Sequence, residues 1–391
     1  MAKTTPSPLL ANERIESLDM MRGLALLGIL LANSMHFQYG LFLVPDIHDY
    51  YPNGIIDRIT EGAILVFAQA SFYTLFSFLF GYGMVFLQER LLTRGQSFAR
   101  IYWRRTAILL IFGCIHALFI WDGDILITYA IAGVILFFFL KLKEQGLLIW
   151  AIILLSLMAL SVTTPEGDEA TSIIDERFYQ YSVEEREVLS SGSYTDVVTF
   201  RHEGDPLGFG WFSNVFIQAS SVIGVLGMFL LGAFVARKKW LEKPENHQKL
   251  FKRIWWVTLC IGFPSKLIFV LNPSTQTEAL HMSIGGPLVA MFYASSILLL
   301  ATNKKMVKWL KQLTYIGRLS LTNYILQSII MTTLFYGYGV GLFGKIGFFI
   351  GALIAIGLFI FQVLLSKWWL KRYKIGPLEW VWRLGTYWKK P

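Results

Sequence analysis

The sequence predicts an all-α polytopic membrane helix bundle, with about ten transmembrane helices and both termini cytoplasmic. Three observations point there. The 391 residues are 55% hydrophobic and only 16% charged, where a soluble domain is nearer about 25% charged. Apolar runs of about 17–25 residues recur, the length that crosses roughly 30 Å of hydrocarbon as helix. Lys and Arg collect in alternate connections, as the positive-inside rule requires.

The polar opening "MAKTTPSPLLANERIE" leads into the first apolar run without a small-residue cleavage site, so no cleavable signal peptide is expected. Ten spans follow, at 20–37, 62–87, 104–121, 124–141, 147–163, 209–236, 253–272, 281–301, 312–336 and 345–366. Residues 88–105 hold five Arg, 237–253 seven Lys or Arg, and 303–312 four Lys. Ten spans place these three loops and both termini on one side, which is then the cytoplasm. The net charge of +9 is thereby explained by topology, and no nucleic-acid partner is expected. Membrane lipid is the expected surrounding, in a bacterial plasma membrane.

The chain reads as a single integral membrane domain, 1–391. Its longest connection, 164–208, carries eleven Asp or Glu against three Arg. With its helical pieces and Gly/Pro turns it is expected to form an ordered extracytoplasmic cap. The segment 367–391 is a cytoplasmic interfacial tail dense in Trp, Tyr, Lys and Arg, suited to the headgroup region. Alternatively, Glu379, Trp380, Trp382 and Arg383 close the cytoplasmic mouth. Cys114 and Cys260 both fall in apolar runs and read as packing residues, not as a disulfide.

Ionisable groups inside a membrane are costly, on the order of 2.5–3.5 kcal/mol at a helix centre, so each is a functional candidate. In the first span Asp19 and Arg22, spaced i,i+3, meet on one face. Asn33 lies eleven residues beyond Arg22, about three turns and about 16 Å along the same face. His36 follows one turn later. Five of the six histidines, His36, His48, His116, His202 and His281, fall at or beyond the outer end. With Asp46, Asp49, Asp122 and Asp124 they suggest an outer polar site, since imidazole transfers protons near neutral pH. His202 reads as a plain loop residue.

The strongest local element is "GCIHALFIWDGDILITYA" (113–130). His116 precedes the tight turn "DGD", whose carboxylates can hold one tautomer of the imidazole and so prepare a base. Asp122 and Asp124 can also cap the next helix. No strict ligand spacing supports a metal, and none is expected. The second span carries Gln69, Ser71, Tyr73, Ser77, Gly81 and Gly83, read as helix-packing residues. Lys266, after Pro264, either snorkels or faces a cavity. Arg318 stands near a cytoplasmic end, and Asn323 and Gln327 share one face.

"RIESLDMMRGLALLGILLANSMHF", "SFLFGYGMVF", "RRTAILLIFGCIHALFIWDGDILITYA", "GRLSLTNYILQS" and "GPLEWVWR" together resemble the YeiB-type family, gathered as domain of unknown function 418. The opening Arg14, Leu18, Asp19, Arg22 and Gly23 is similar to the start of two kinds of membrane acyltransferase, the acyltransferase-3 type and heparan-alpha-glucosaminide N-acetyltransferase. That resemblance implies an acyl group taken from cytoplasmic acyl-CoA, such as acetyl-CoA, and placed on an extracytoplasmic hydroxyl or amine of a small-molecule or glycan acceptor. The acyltransferase-3 type has a histidine where Asn33 stands here. The glucosaminide enzyme has an asparagine there and a histidine in the next loop, similar to Asn33 with His48; His36 competes for that place.

On this reading Asp19, Arg22 and Arg318 form the donor end. Asn33, His36, His48, His116, Asp122 and Asp124 form the catalytic end. Arg22 receives the phosphates, Asn33 the thioester carbonyl, and His48 or His116 deprotonates the acceptor. Two other classes stay open: a transporter or flippase of a lipid-linked or small acidic molecule, and a protein that binds lipid or quinone. The oligomeric state stays open too, with a homodimer as one option.

Overall fold

The structure, a computed structural model, describes residues 14–41, 54–163 and 169–388. They form an all-α bundle. Eight of the described helical segments are long and apolar enough to cross a membrane. Large apolar side chains face outward along them, as at Ile152 and Leu157 on one helix and Leu353, Ile360 and Leu364 on another. Such apolar bands are what lipid covers.

Helix α1 (Glu16–Tyr39) is the axis of the bundle. It packs against α2 (Ile55–Phe67), α3 (Ser71–Thr93), α12 (Gly286–Ala301), α13 (Lys304–Arg318), α14 (Ser320–Phe335) and α15 (Phe348–Arg372). Around that core run α4 (Phe98–Phe119), α5 (Leu126–Phe139), α6 (Glu144–Ala159), α9 (Trp211–Arg237) and α10 (Gln248–Leu271). The long connection holds α7 (Glu169–Ser191) and α8 (Tyr194–Glu203), so it is helical as expected. A short helix, α11 (Thr275–Leu280), enters a π-helical turn (His281–Gly285) that leads into α12. Last comes α16 (Pro377–Tyr387).

Small residues set the closest contacts. A Cβ on Gly23 would fall 2.1 Å from the Leu313 carbonyl oxygen, and one on Gly317 2.0 Å from that of Asp19. Only glycine lets α1 and α13 approach so closely. Gly81 and Gly232 do the same for α3 and α9, with virtual Cβ atoms 1.9 Å from the carbonyl oxygens of Phe229 and Phe78. Gly81 is therefore a packing residue, as its type suggested.

Three expected spans are built differently. The 62–87 segment is two helices, broken at Ala68–Ala70, where Ala70 takes a left-handed φ of 60°. The 312–336 segment breaks at Leu319, because the Lys-rich α13 ends there and α14 starts afresh. Helix α5 has 14 residues, about 21 Å of rise, shorter than the roughly 30 Å of a full crossing. Cys114 and Cys260 are free thiols.

Candidate functional site

At the basic end, a cavity of about 240 Å³ opens beside the start of α1. Arg14, Arg22, Arg90, Arg94, Arg105, Arg318 and Arg383 line it, against two carboxylates, Asp19 and Glu379. The expected trio Asp19, Arg22 and Arg318 thus meets at one place. The Gly23–Gly317 crossing explains why: it brings the Arg before Gly23 and the Arg after Gly317 to the same wall. Asp19 is buried and accepts from Arg22 Nη1 at 3.0 Å, with Arg14 Nη1 at 3.7 Å.

The C-terminal helix α16 forms another wall. Trp382 Nε1 donates to the Arg105 carbonyl at 2.9 Å, and the Arg105 guanidinium stacks 3.7 Å over the Trp382 ring. Glu379 Oε1 accepts the backbone N–H groups of Leu321 (2.8 Å) and Thr322 (3.1 Å), and Oε2 accepts the Thr322 hydroxyl (2.6 Å). It thereby satisfies the free N-terminus of α14 that the Leu319 break creates. Burial pushes the Glu379 carboxyl above its ordinary value, and the bonds from Thr322 and Leu321 oppose that. Burial also lowers Arg383. Of the two expectations for the tail, Glu379, Trp382 and Arg383 follow the one in which they close the mouth, while Trp380 lies outside the cavity wall, 38% exposed.

At the opposite end, the turn Trp121–Asp124 joins α4 to α5. His116 Nδ1 lies 2.8 Å from Asp124 Oδ1, both side chains buried. A carboxylate only accepts, so Nδ1 donates, and in the neutral ring it is Nε2 that carries the lone pair. Nε2 is buried and makes no hydrogen bond among the described residues. Asp124 Oδ2 accepts the Ile127 N–H at 2.7 Å, capping α5. One carboxylate therefore performs both expected tasks. The Tyr324 ring packs 5.1 Å from the imidazole.

Asp122 goes elsewhere: its Oδ1 lies 3.7 Å from Arg201 Nε on α8. Tyr194 on the same helix donates to the Phe119 carbonyl at 2.7 Å, latching α8 to the end of α4. His36, one turn beyond the half-buried Asn33, has a buried Nδ1 without a hydrogen-bond partner among the described residues. His48 lies outside the described residues. His202 is exposed on α8. His281 is not part of this cluster; it is buried in the π-helical turn beside Phe269. Among the described residues no group of three or more His, Cys, Asp or Glu could hold a metal.

An aromatic layer stands between the two ends. Phe76 and Phe80 line the arginine cavity and pack 6.2 and 5.5 Å from Tyr129, whose hydroxyl bonds the Tyr73 carbonyl and Ser77 Oγ, both at 2.8 Å. Farther off, Lys266 neither snorkels nor lines the cavity described above. Fully buried, it donates to the Gln69 carbonyl and to Ser71 Oγ (3.0 Å), meeting the polar groups that the Ala68–Ala70 break exposes. Asn323 and Gln327 face another helix: Asn323 Nδ2 donates to Ser366 Oγ (3.0 Å), and Gln327 Nε2 to Gln362 Oε1 (2.8 Å).

Sequence reasoning missed Arg201, Tyr324 and the Arg90, Arg94 and Arg105 contributions. The three cavity arginines were visible only as topology charges, and Arg201 only as one of three Arg in an acidic loop.

Comparison with known proteins adds kinship. The family described as "Protein of unknown function (DUF418)" matches residues 235–389. The chain is 35% identical to "Uncharacterized protein YxaH" of Bacillus subtilis (strain 168), covering 97% of this chain and 96% of that protein. It is 30% identical to "Uncharacterized 39.9 kDa protein in amylase 3'region" of Bacillus acidopullulyticus, over 98% and 96%. Identity to "Uncharacterized protein YeiB" of Escherichia coli (strain K12) is 29%, over 96% of each.

Proposed function

The chain belongs to the DUF418 family, and from that premise we propose that it is a transmembrane acyltransferase moving an acetyl or other acyl group from cytoplasmic acyl-CoA to an extracytoplasmic hydroxyl or amine. The observation that carries the reading is the cavity with seven arginines against two carboxylates at the basic end. A guanidinium cluster of that excess suits a polyanion such as the phosphates of CoA. With Lys and Arg on the cytoplasmic side, both termini face the cytoplasm and the bundle lies in the plasma membrane.

In this mechanism Arg22 and Arg318 hold the donor phosphates, and the long arm carries the thioester past the aromatic layer. His116 Nε2 takes the acceptor's proton, with Asp124 holding the tautomer. The freed oxygen or nitrogen attacks the thioester carbonyl carbon, while Asn33 donates to the carbonyl oxygen as charge builds. The C–S bond breaks, and CoA leaves as a thiolate that recovers the proton from the imidazolium. His36 and His48 are the competing bases. Membranes containing the protein are incubated with radiolabelled acetyl-CoA, and label on membrane or soluble acceptors is counted. His116→Ala and Asn33→Ala abolish transfer without reducing expression; wild-type rates in both would contradict these roles.

One observation favours transport instead. The helix break at Ala68–Ala70, served by buried Lys266, is the kind of discontinuity that lines transporter sites. Flux of a small acid into proteoliposomes without acyl-CoA consumption would select that reading.

A further inference from the structure

We infer that Arg201 is an anion-binding residue at the histidine end, holding a carboxylate or phosphate carried by the molecule that receives the acyl group. Its side chain is 3% exposed, and Nε lies 3.7 Å from Asp122 Oδ1, beyond hydrogen-bond reach. Both terminal nitrogens are buried and donate to no group among the described residues. The guanidinium lies 5.9 Å from the centre of the Tyr336 ring, which contributes a face and no acceptor. A guanidinium stays charged at every physiological pH and carries five donors. Burying it with its fork unused is costly, and the fork's planar geometry matches a carboxylate or phosphate through two parallel bonds.

The surroundings fit this role. Asp122 fixes the guanidinium from the Nε side, and its 25% exposure keeps the pair in touch with solvent. The other buried carboxylate nearby, Glu185, is engaged by the Leu41 N–H at 2.8 Å. Asp122 and Asp124 belong to one turn, so the same four residues that hold the Arg201 pair also hold His116. A ligand with its anion on Arg201 and its hydroxyl or amine at His116 Nε2 is therefore a small compound bearing both groups. The ligand's part as acceptor rests on the acyl-transfer reading; the anion site does not.

Thermal unfolding of the purified full chain in detergent tests it, with sn-glycerol 3-phosphate, glycerate and glycerol as probes. The two anions raise the melting temperature saturably and glycerol does not; the tighter anion tells phosphate from carboxylate. Arg201→Gln abolishes the part of the shift that survives in Arg22→Gln, and Arg201→Lys, which keeps charge but loses the fork, weakens that part roughly tenfold. Arg22→Gln removes only what the arginine cavity itself contributes. No shift in the wild type, an equal shift in Arg201→Gln, or a shift lost in Arg22→Gln but kept in Arg201→Gln would overturn the inference. If Arg201→Gln does not fold, an undiminished shift in Arg201→Lys overturns it. Absence of acetyl transfer beside an intact Arg201-dependent shift would remove the acyltransferase reading and leave the anion site standing.

Discussion

The two ends of the bundle use charge in opposite ways. At the basic end seven arginines face two carboxylates around an open cavity, and α16 walls it. At the histidine end the ionisable groups are few and paired one to one: buried His116 with Asp124, and Arg201 with the part-exposed Asp122. An unbalanced, open cluster attracts a polyanion and tolerates its exchange. A closed pair in low dielectric fixes a tautomer and holds it. On the acyl-transfer reading, binding and chemistry are separated along α1, whose Arg22 stands at one end and His36 at the other.

The largest test of that division is His116→Gln. Loss of a general base lowers transfer by about 10²–10⁴-fold, measured with radiolabelled acetyl-CoA, while donor binding is unchanged. A variant that lost both would join the two ends into one site. Next, Asp124→Asn removes the charged partner of the imidazole and weakens the α5 cap. It lowers stability by about 1–3 kcal/mol in thermal unfolding and reduces transfer, again without touching donor binding.

Trp382→Leu acts at the other end. It removes the stack on Arg105 and the bond to its carbonyl, worth about 1–2 kcal/mol together. Limited proteolysis then cuts α16 sooner, and donor affinity falls while His116 chemistry persists. The smallest effect is a pH slope. Burial raises Glu379 above its ordinary 4.5, so the fold favours its protonated form more than the unfolded chain does. That contribution is complete below the ordinary value and is lost as pH rises through the raised one. Glu379→Gln flattens this part of the stability–pH curve; an unchanged slope would assign it to another group.

The sequence made the bundle legible because hydropathy and Lys/Arg placement are properties of whole segments. It also placed His116 beside the carboxylates of the following tight turn, Asp122 or Asp124, and only the fold chooses Asp124. The breaks were harder. Ala68–Ala70 sits within an apolar run, and nothing local marks it; its polar groups are met by Lys266, 195 residues beyond Ser71. Leu319 breaks a run that hydropathy joins, because Glu379 supplies the new helix start from 57 and 58 residues away. Arg201 was illegible for the same reason: its meaning depends on Asp122, to which only the folded loop brings it. The arginine cavity was half-visible, through Arg22 and Arg318, whose neighbouring glycines set the crossing.

On the acyl-transfer reading the basic end binds the donor and the histidine end does not. Calorimetric titration of acetyl-CoA into the purified protein tests it directly. Saturable binding is expected, weakened roughly 10²- to 10⁴-fold in Arg22→Gln/Arg318→Gln, since bonds to charged groups are each worth about 1.5–3 kcal/mol, and unchanged in His116→Gln. No saturable binding by the wild type, or equal binding by the double arginine variant, would contradict it.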